Sequence, residues 1–192
     1  MKKILIGTHN MGKFREISYL LPKKIKKISP LQFKIKSPKE TSKTFRGNAE
    51  LKANYFSKFT KLPVISDDSG LCIKALGNKP GIHSARWAKR HGSFNKAMKF
   101  ILNKMKKKID RSATFVCSLC LKKSDGKKIT VIGKIEGVIS RKIIGNHGFG
   151  YDSIFIPKFQ SLTFGQLPKY RKIKIDHRYI AFKKLKKKTK IL

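Results

Sequence analysis

In the run Val64-Ile65-Ser66-Asp67-Asp68-Ser69-Gly70-Leu71, two adjacent carboxylates stand between apolar residues that belong in a core. No other stretch constrains the chain so strongly, because it has only ten acidic residues against forty-seven basic ones. Two readings fit the doublet. It can close a strand as an Asx turn. It can also stand at the end of a buried strand, where paired carboxylates hold a hard cation and poise a base beside it.

At 192 residues, 40% of them hydrophobic and thirteen of them Phe, the chain is long enough for one domain with a substantial core. Cys72, Cys117 and Cys120 all sit in apolar stretches and read as reduced core thiols. Cys117 and Cys120 have the spacing of a redox or zinc half-site, but they lie in a strand-like run without a second ligand pair. No apolar run approaches membrane-spanning length, and the opening residues carry a strand pattern rather than a leader's apolar segment. A cytoplasmic protein without a membrane segment is expected. The formal charge of +37 admits a nucleic-acid partner. Against that, lysines are scattered along the whole chain, Arg is rare beside Lys, and dense runs occur only at 104–108 and 183–190. A joint excess of Lys and Ile is what an AT-biased genome produces. Most of the charge is therefore expected to be a solvated surface, with a basic nucleic-acid-binding protein as the alternative function.

From the start of the chain, Ile4-Leu5-Ile6 marks a buried strand within 2–8, bounded by Gly7. The turn Thr8-His9-Asn10-Met11-Gly12-Lys13 leads into a helix over 14–21, with Phe14, Ile17, Leu20 and Leu21 on one face. A strand passing through a polar turn into a helix N-terminus suits a phosphate. Backbone N–H groups and the helix dipole point at the anion, and Lys13 adds a charge. The spacing is not that of a Walker A loop, and an ordinary strand–helix loop fits equally well. A second strand follows over 25–28, then a loop over 31–42. Thr44 caps the next helix, whose apolar stripe is Phe45, Ala49, Ala53 and Phe56. Asn48 and Lys52 lie one turn apart on an adjacent face, where plain helix surface is the simpler reading.

Beyond the Asp pair, 71–76 is expected to be extended and 77–81 a flexible loop, while 82–87 carries Arg86 and the only Trp. Ser93 caps a helix with Ala97, Met98, Ile101, Leu102 and Met105 as its stripe. Ala113, Phe115, Cys117, Leu119 and Leu121 alternate toward a hairpin turn at Asp125-Gly126, and Ile129, Val131 and Ile135 return. Gly133 and Gly137 are candidate bulges. Gly145-Asn146-His147-Gly148-Phe149-Gly150-Tyr151-Asp152 fails the dinucleotide fingerprint, because its glycines miss GxGxxG and no helix follows. Those glycines let backbone approach a flat ligand while Phe149 stacks on it, or they shape a hairpin around a core Phe. Near the end, a basic loop precedes Asp176-His177-Arg178, which opens a helix to Leu185 with Asp176 as N-cap. His177 and Arg178 occupy the helix end that prefers acids, which points to ligand contact.

Taken together, Thr8-His9-Asn10-Met11-Gly12-Lys13, Glu40 with Thr44-Phe45 and Asn48-Ala49, Lys52-Ala53, residues 66–71, Pro80-Gly81-Ile82-His83-Ser84-Ala85-Arg86, residues 148–152 with Phe155, and His177-Arg178 form one ordered set. In that order and spacing the chain resembles the inosine triphosphate pyrophosphatase family from end to end. The resemblance implies an α/β fold: a long, twisted mixed β-sheet flanked by helices, in two lobes with a central cleft. It implies a single two-lobed domain over 1–185 and a basic tail over 186–192. It also implies a homodimer that, with Mg²⁺, hydrolyses aberrant purine nucleoside triphosphates (ITP, dITP and XTP) to the monophosphate and pyrophosphate.

Carried over residue by residue, Asp68 is expected to be the general base and, with Glu40, a metal ligand. Asn10, Lys13, Lys52 and Lys172 would hold phosphates, in a substrate loop that includes Thr8, His9, Met11 and Gly12. Ser69 would touch the substrate. Phe149 would stack on the purine beside Gly150 and Tyr151, while Asp152, His177 and Arg178 read its edge. Asp67 would raise the pKa of Asp68 or support it from behind. Donors such as Arg178 suit a 6-oxo purine, and leaving one unmet costs about 1–3 kcal/mol, which disfavours ATP. The chain departs from the family at Gln166, where an acid is usual, at Ser153, where proline is common, and at Asp176, where serine is usual. Activity is expected to survive these changes, and a different base preference is the remaining option.

Overall fold

The structure, a computed structural model, describes residues 2–189. Its elements follow the order β1 (Lys3–Ile6), α1 (Met11–Leu20), β2 (Lys26–Ile28), α2 (Phe45–Phe59), β3 (Val64–Ile73), β4 (Lys79–Pro80), α3 (Ser84–Arg90), α4 (Phe94–Lys104), β5 (Ser112–Lys122), β6 (Lys128–Ile139), β7 (Phe155–Pro157), α5 (Lys169–Lys172) and α6 (His177–Lys187). The sheet takes the strands in the order β2-β1-β3-β5-β6-β7, with β4 paired to β3. β1 is parallel to β2 and β3, whereas β4 and β7 run antiparallel to β3 and β6. A mixed sheet flanked by helices is the α/β architecture expected. By contact, the chain divides into two compact units: residues up to 68, 117–133 and from 178 onward in one, and 69–116 with 134–177 in the other.

In the first unit, strand alternation decides the layers. Ile4, Ile6 and Ile65 pack with Ile17 of α1 and with Ala181, Phe182 and Leu185 of α6. Leu5 and Val64 instead join Ala49, Ala53 and Phe56 of α2. Both faces are covered, so β1 reads as an unbroken apolar run. Cys117 falls in the α1/α6 layer and Cys120 in the α2 layer. Three residues apart on a strand, they point to opposite sides, and the half-site reading lapses. α1 starts at Met11, earlier than periodicity predicts, because the Asn10 side chain caps it by accepting the Lys13 N–H at 3.0 Å. Thr44 caps α2 as expected, accepting from the Gly47 N–H at 3.0 Å.

The second unit has its own core, with Leu71 and Ile73 of β3, Met98, Ile101 and Met105 from α4 and its end, and Phe115, Phe155 and Phe164. Ser93 caps α4, accepting the Lys96 N–H at 3.1 Å. Residues 77–81 are not a free loop, since Lys79–Pro80 pairs with β3, Pro80 opposite Cys72. Gly137 makes no bulge: it lies opposite Pro157 in a register that continues through Ile139 and Phe155. Its missing side chain is needed because a Cβ there would strike the Ile156 carbonyl and the Phe155 ring. α3 and α5 form where the sequence pattern showed no helix. α6 continues through Lys187, past the expected end at Leu185, and 190–192 of the expected tail lie outside the described residues. Among the described residues, no helix is long and apolar enough to cross a membrane.

Candidate active site

β3 does not end at its carboxylates. It runs unbroken from Val64 to Ile73, which removes the Asx-turn reading. Because side chains alternate along a strand, Asp67 and Asp68 leave opposite faces. Asp67 shares a face with Ile65, toward α1 and α6. Asp68 shares a face with Ser66, whose hydroxyl donates to the Ala49 carbonyl of α2 at 2.7 Å.

α2 presents Asn48 and Lys52 to Asp68. Asn48 Nδ2 donates to Oδ2 at 3.1 Å, and Lys52 Nζ lies 3.7 Å from Oδ1. Lys52 also donates to Glu40 Oε1 at 2.5 Å. Neither helix residue is surface: Asn48 is 0% exposed and Lys52 5%. The Asn48 amide is oriented by the Ser42 N–H, which donates to its Oδ1 at 2.9 Å and leaves the amide nitrogen toward Asp68. Burial raises the Asp68 pKa, and the charge of Glu40 adds to the rise, against the pull of Lys52, Lys13 and the Asn48 bond. For Lys52, burial disfavours the charge, yet Asp68, Asp67 and Glu40 together carry its pKa above the ordinary value.

On the other face, Asp67 Oδ2 forms ion pairs with Lys13 Nζ at 3.2 Å and Arg178 Nε at 3.4 Å. Arg178 Nη1 donates to Glu16 Oε2 at 2.7 Å. Burial alone would push the Asp67 pKa up, but Lys13, Arg178 and Lys52 hold it down at about 2. Asp67 is thus the anchor of two cations, and the rise at Asp68 comes from burial and Glu40. Glu16 was not expected at the site. The signal was present: it is one of ten acids in the chain, and it sits beside Ile17 on the buried face of α1. In the preceding turn, Thr8 Oγ1 accepts the Asn10 N–H at 3.2 Å, and His9 Nε2 lies 2.8 Å from the Ile35 carbonyl oxygen. Met11 and Gly12 occupy the first turn of α1, with Met11 exposed.

In the second unit, Gly148 and Gly150 both take positive φ, at 75° and 70°. Asp152 Oδ2 accepts the Phe149 N–H at 2.9 Å and pairs with Lys172 Nζ at 2.8 Å. A Cβ at Gly148 would run into that carboxylate, so the turn demands glycine twice over. Lys172 also lies 4.0 Å from Asp176 Oδ2 and 5.1 Å from the half-buried Phe149 ring centroid. Tyr151 is buried and donates its hydroxyl to the Ser84 carbonyl at 2.9 Å. The His177 ring stacks on Phe115 at 4.8 Å and 7°. Ser69 follows Asp68 in β3 and is half-buried.

Among the described residues, no cluster of three or more His, Cys, Asp or Glu side chains is arranged to hold a metal ion. The donor set still suits Mg²⁺, which commonly takes one or two carboxylates and completes its shell with water and substrate phosphates. Glu40 and Asp68 already converge on one positive charge, the Lys52 ammonium.

The family model of the Ham1 family matches residues 4–188. A dITP/XTP pyrophosphatase of Gluconobacter oxydans is 40% identical over 177 residues, covering 92% of this chain and 85% of that protein. A dITP/XTP pyrophosphatase of Dictyoglomus thermophilum is 42% identical over 190 residues, covering 95% and 92%. The solved structure of a HAM1 protein from Coxiella burnetii superposes with a TM-score of 0.87 at 34% identity, covering 97% of this chain and 98% of that one. With such matches over nearly its whole length, the chain is a member of the Ham1 family.

Proposed function

We propose that the protein hydrolyses the aberrant purine nucleoside triphosphates dITP, ITP and XTP to the monophosphate and pyrophosphate, with Mg²⁺, as a cytoplasmic homodimer. The observation that carries this reading is the buried Asp68, held by Asn48 and Lys52 beside Glu40, in a chain whose relatives are named dITP/XTP pyrophosphatases. Glu40 and Asp68 would hold Mg²⁺, which when bound neutralises phosphate charge and orients the triphosphate.

Asp68 takes a proton from the attacking water, and its raised pKa suits that role. The water oxygen bonds to the α-phosphorus as the bond to the α,β-bridging oxygen breaks, and that electron pair leaves with pyrophosphate. Lys13 and Lys52 balance the charge that develops on the leaving group. The backbone N–H groups of the 8–13 turn, at the N-terminus of α1, cradle phosphate. Phe149 offers its ring to the purine, and the Asp152–Lys172 pair holds the loop that carries it. Asp152, His177 and Arg178 are assigned to the base edge. A basic nucleic-acid-binding protein without catalysis would leave the buried Asp68, with its raised pKa, without use.

Pyrophosphate release from ITP, dITP, XTP, GTP and ATP, with Mg²⁺ and with EDTA, tests the proposal. Metal-dependent release from the first three, with little from GTP or ATP, is expected. No release from any nucleotide would overturn it.

A further inference from the structure

We infer that Lys52 is a resident cation that keeps Glu40 and Asp68 occupied in the free protein and yields them when a triphosphate arrives, so that metal and nucleotide enter together. The inference rests on the metal-dependent pyrophosphatase reading above.

Lys52 Nζ lies 2.5 Å from Glu40 Oε1 and 3.7 Å from Asp68 Oδ1, where the two carboxylates converge. Asn48 takes the other Asp68 oxygen at 3.1 Å. The carboxylate assigned to bind metal and to accept a proton therefore has an amide on one oxygen and an ammonium beside the other. The ammonium is not a solvated tip that drifts aside, since its side chain is only 7% exposed. Its stem rises from α2, whose stripe of Ala49, Ala53 and Phe56 is fully buried.

Charge points the same way. The Lys52 ammonium is held by Glu40 and Asp68 together. A divalent ion arriving alone must push the ammonium off the two carboxylates that hold it, and the displaced ammonium then needs another anion. Buried unpaired charge of that kind is strongly disfavoured. A triphosphate supplies the missing anion. Lysine is a point charge on a flexible four-carbon stem, so Nζ can swing to a phosphate oxygen and release both carboxylates. Asp68 is thereby freed as metal ligand and base only when substrate is present.

Mn²⁺ titrated against the full chain, followed by electron paramagnetic resonance, measures metal binding without turnover. The proteins are wild type and Lys52→Met, each alone and with the α,β-methylene analogue of ITP. Free Lys52→Met is expected to bind Mn²⁺ at least 10-fold tighter than free wild type, and the analogue is expected to tighten wild type by a similar factor. Glu40→Gln should weaken binding in both backgrounds. If Lys52→Met does not fold, Lys52→Gln, which keeps a donor for Glu40 without the charge, carries the same comparison. Wild type that binds Mn²⁺ with the analogue, beside a free Lys52 variant no tighter than free wild type, overturns this inference alone. Absence of Mn²⁺ binding in every protein, analogue included, overturns the metal-dependent reading itself.

Discussion

Asp67 and Asp68 are consecutive in β3 yet serve opposite faces of the sheet, Asp67 meeting Lys13 of α1 at 3.2 Å and Asp68 meeting Asn48 of α2 at 3.1 Å. Two chemically identical groups are thereby driven apart. Flanking cations bring Asp67 down to about 2, while burial and Glu40 raise Asp68. Such a split between neighbouring carboxylates is what the proposed division between a structural anchor and a proton acceptor requires.

Substitution should separate the two roles. Asp68→Asn is expected to lower kcat on ITP by about 10²–10⁴-fold, the range for loss of a general base, with the melting temperature within a few degrees of wild type. Asp67→Asn leaves Lys13 and Arg178 without the carboxylate they share. Breaking a buried pair from one side costs about 3–5 kcal/mol, which for a chain of this size lowers Tm on the order of 10 °C. Calorimetric melts of the two variants decide the matter, and an Asp67→Asn protein as stable as wild type would refute the anchor role.

The pH dependence has two distinct parts. The folded-state pKa of Asp67, about 2, lies below its ordinary 3.8. Its contribution is therefore fully present above the ordinary value and is lost as pH falls toward 2, amounting to about 2 kcal/mol. Denaturant melts between pH 6 and pH 2 should show the gap between wild type and Asp67→Asn narrowing by about that amount. Asp68 runs the other way: its folded pKa is raised, so stability is lost as pH climbs from the ordinary value through the raised one. The proposed base role needs that ionised form, and the acid limb of the kcat/KM profile, which reports the free protein, is expected to lie above the ordinary carboxylate range.

Gly70 should tolerate no side chain. A Cβ there would collide with the Gly81 carbonyl and Ser84 Oγ. That hydroxyl accepts the Leu71 N–H at 3.0 Å and donates to the Gly81 carbonyl at 2.7 Å. Gly70→Ala is expected to cost about 1–3 kcal/mol, the usual penalty for overpacking. Ser84→Ala, which strands both backbone groups, should cost about 1–3 kcal/mol. Equilibrium unfolding in urea reads both.

Phe149 and Lys172 should differ in kind. Phe149 is half-buried, and if it stacks on the purine, Phe149→Ala loses about 1–3 kcal/mol of binding. That corresponds to a fall in kcat/KM on the order of 5- to 150-fold with little change in Tm. Lys172 is 3% exposed and pairs with Asp152 at 2.8 Å. Lys172→Met strands a buried carboxylate and should lower Tm as well as activity. An unchanged kcat/KM in Phe149→Ala would remove the stacking role.

The three departures from the family pattern are each absorbed by local chemistry. Ser153 donates its hydroxyl to the Gly145 carbonyl at 2.8 Å, steadying the loop where proline is usual. Gln166 Oε1 accepts the Thr163 N–H at 3.1 Å, as a carboxylate at that position could. Asp176 adds a second carboxylate near Lys172, at 4.0 Å. Gln166 and Asp176 find these partners within one turn of chain, and Ser153 reaches back eight residues to Gly145.

Local chemistry was legible wherever a residue acts on its own neighbours. Thr44 and Ser93 cap the helices that follow them. The Asp125-Gly126 turn joins β5 to β6, with Gly126 at a φ of 84°. The apolar runs of β1 and β3 foretold strands covered on both sides. Side chains that meet across long separations stayed hidden. Asn48 and Lys52 read as helix surface until β3 brought Asp68 against them, and Glu16 has no visible role until Arg178, far along the chain, reaches it at 2.7 Å. The sequence by itself determined where β1, α2, α4 and the hairpin of β5 and β6 would form, since propensity, capping and periodicity act within a few residues, but not α3, α5 or β4. Only the tertiary structure decided which carboxylate is held down by cations and which has its pKa raised, because that depends on what each sheet face gathers from distant helices.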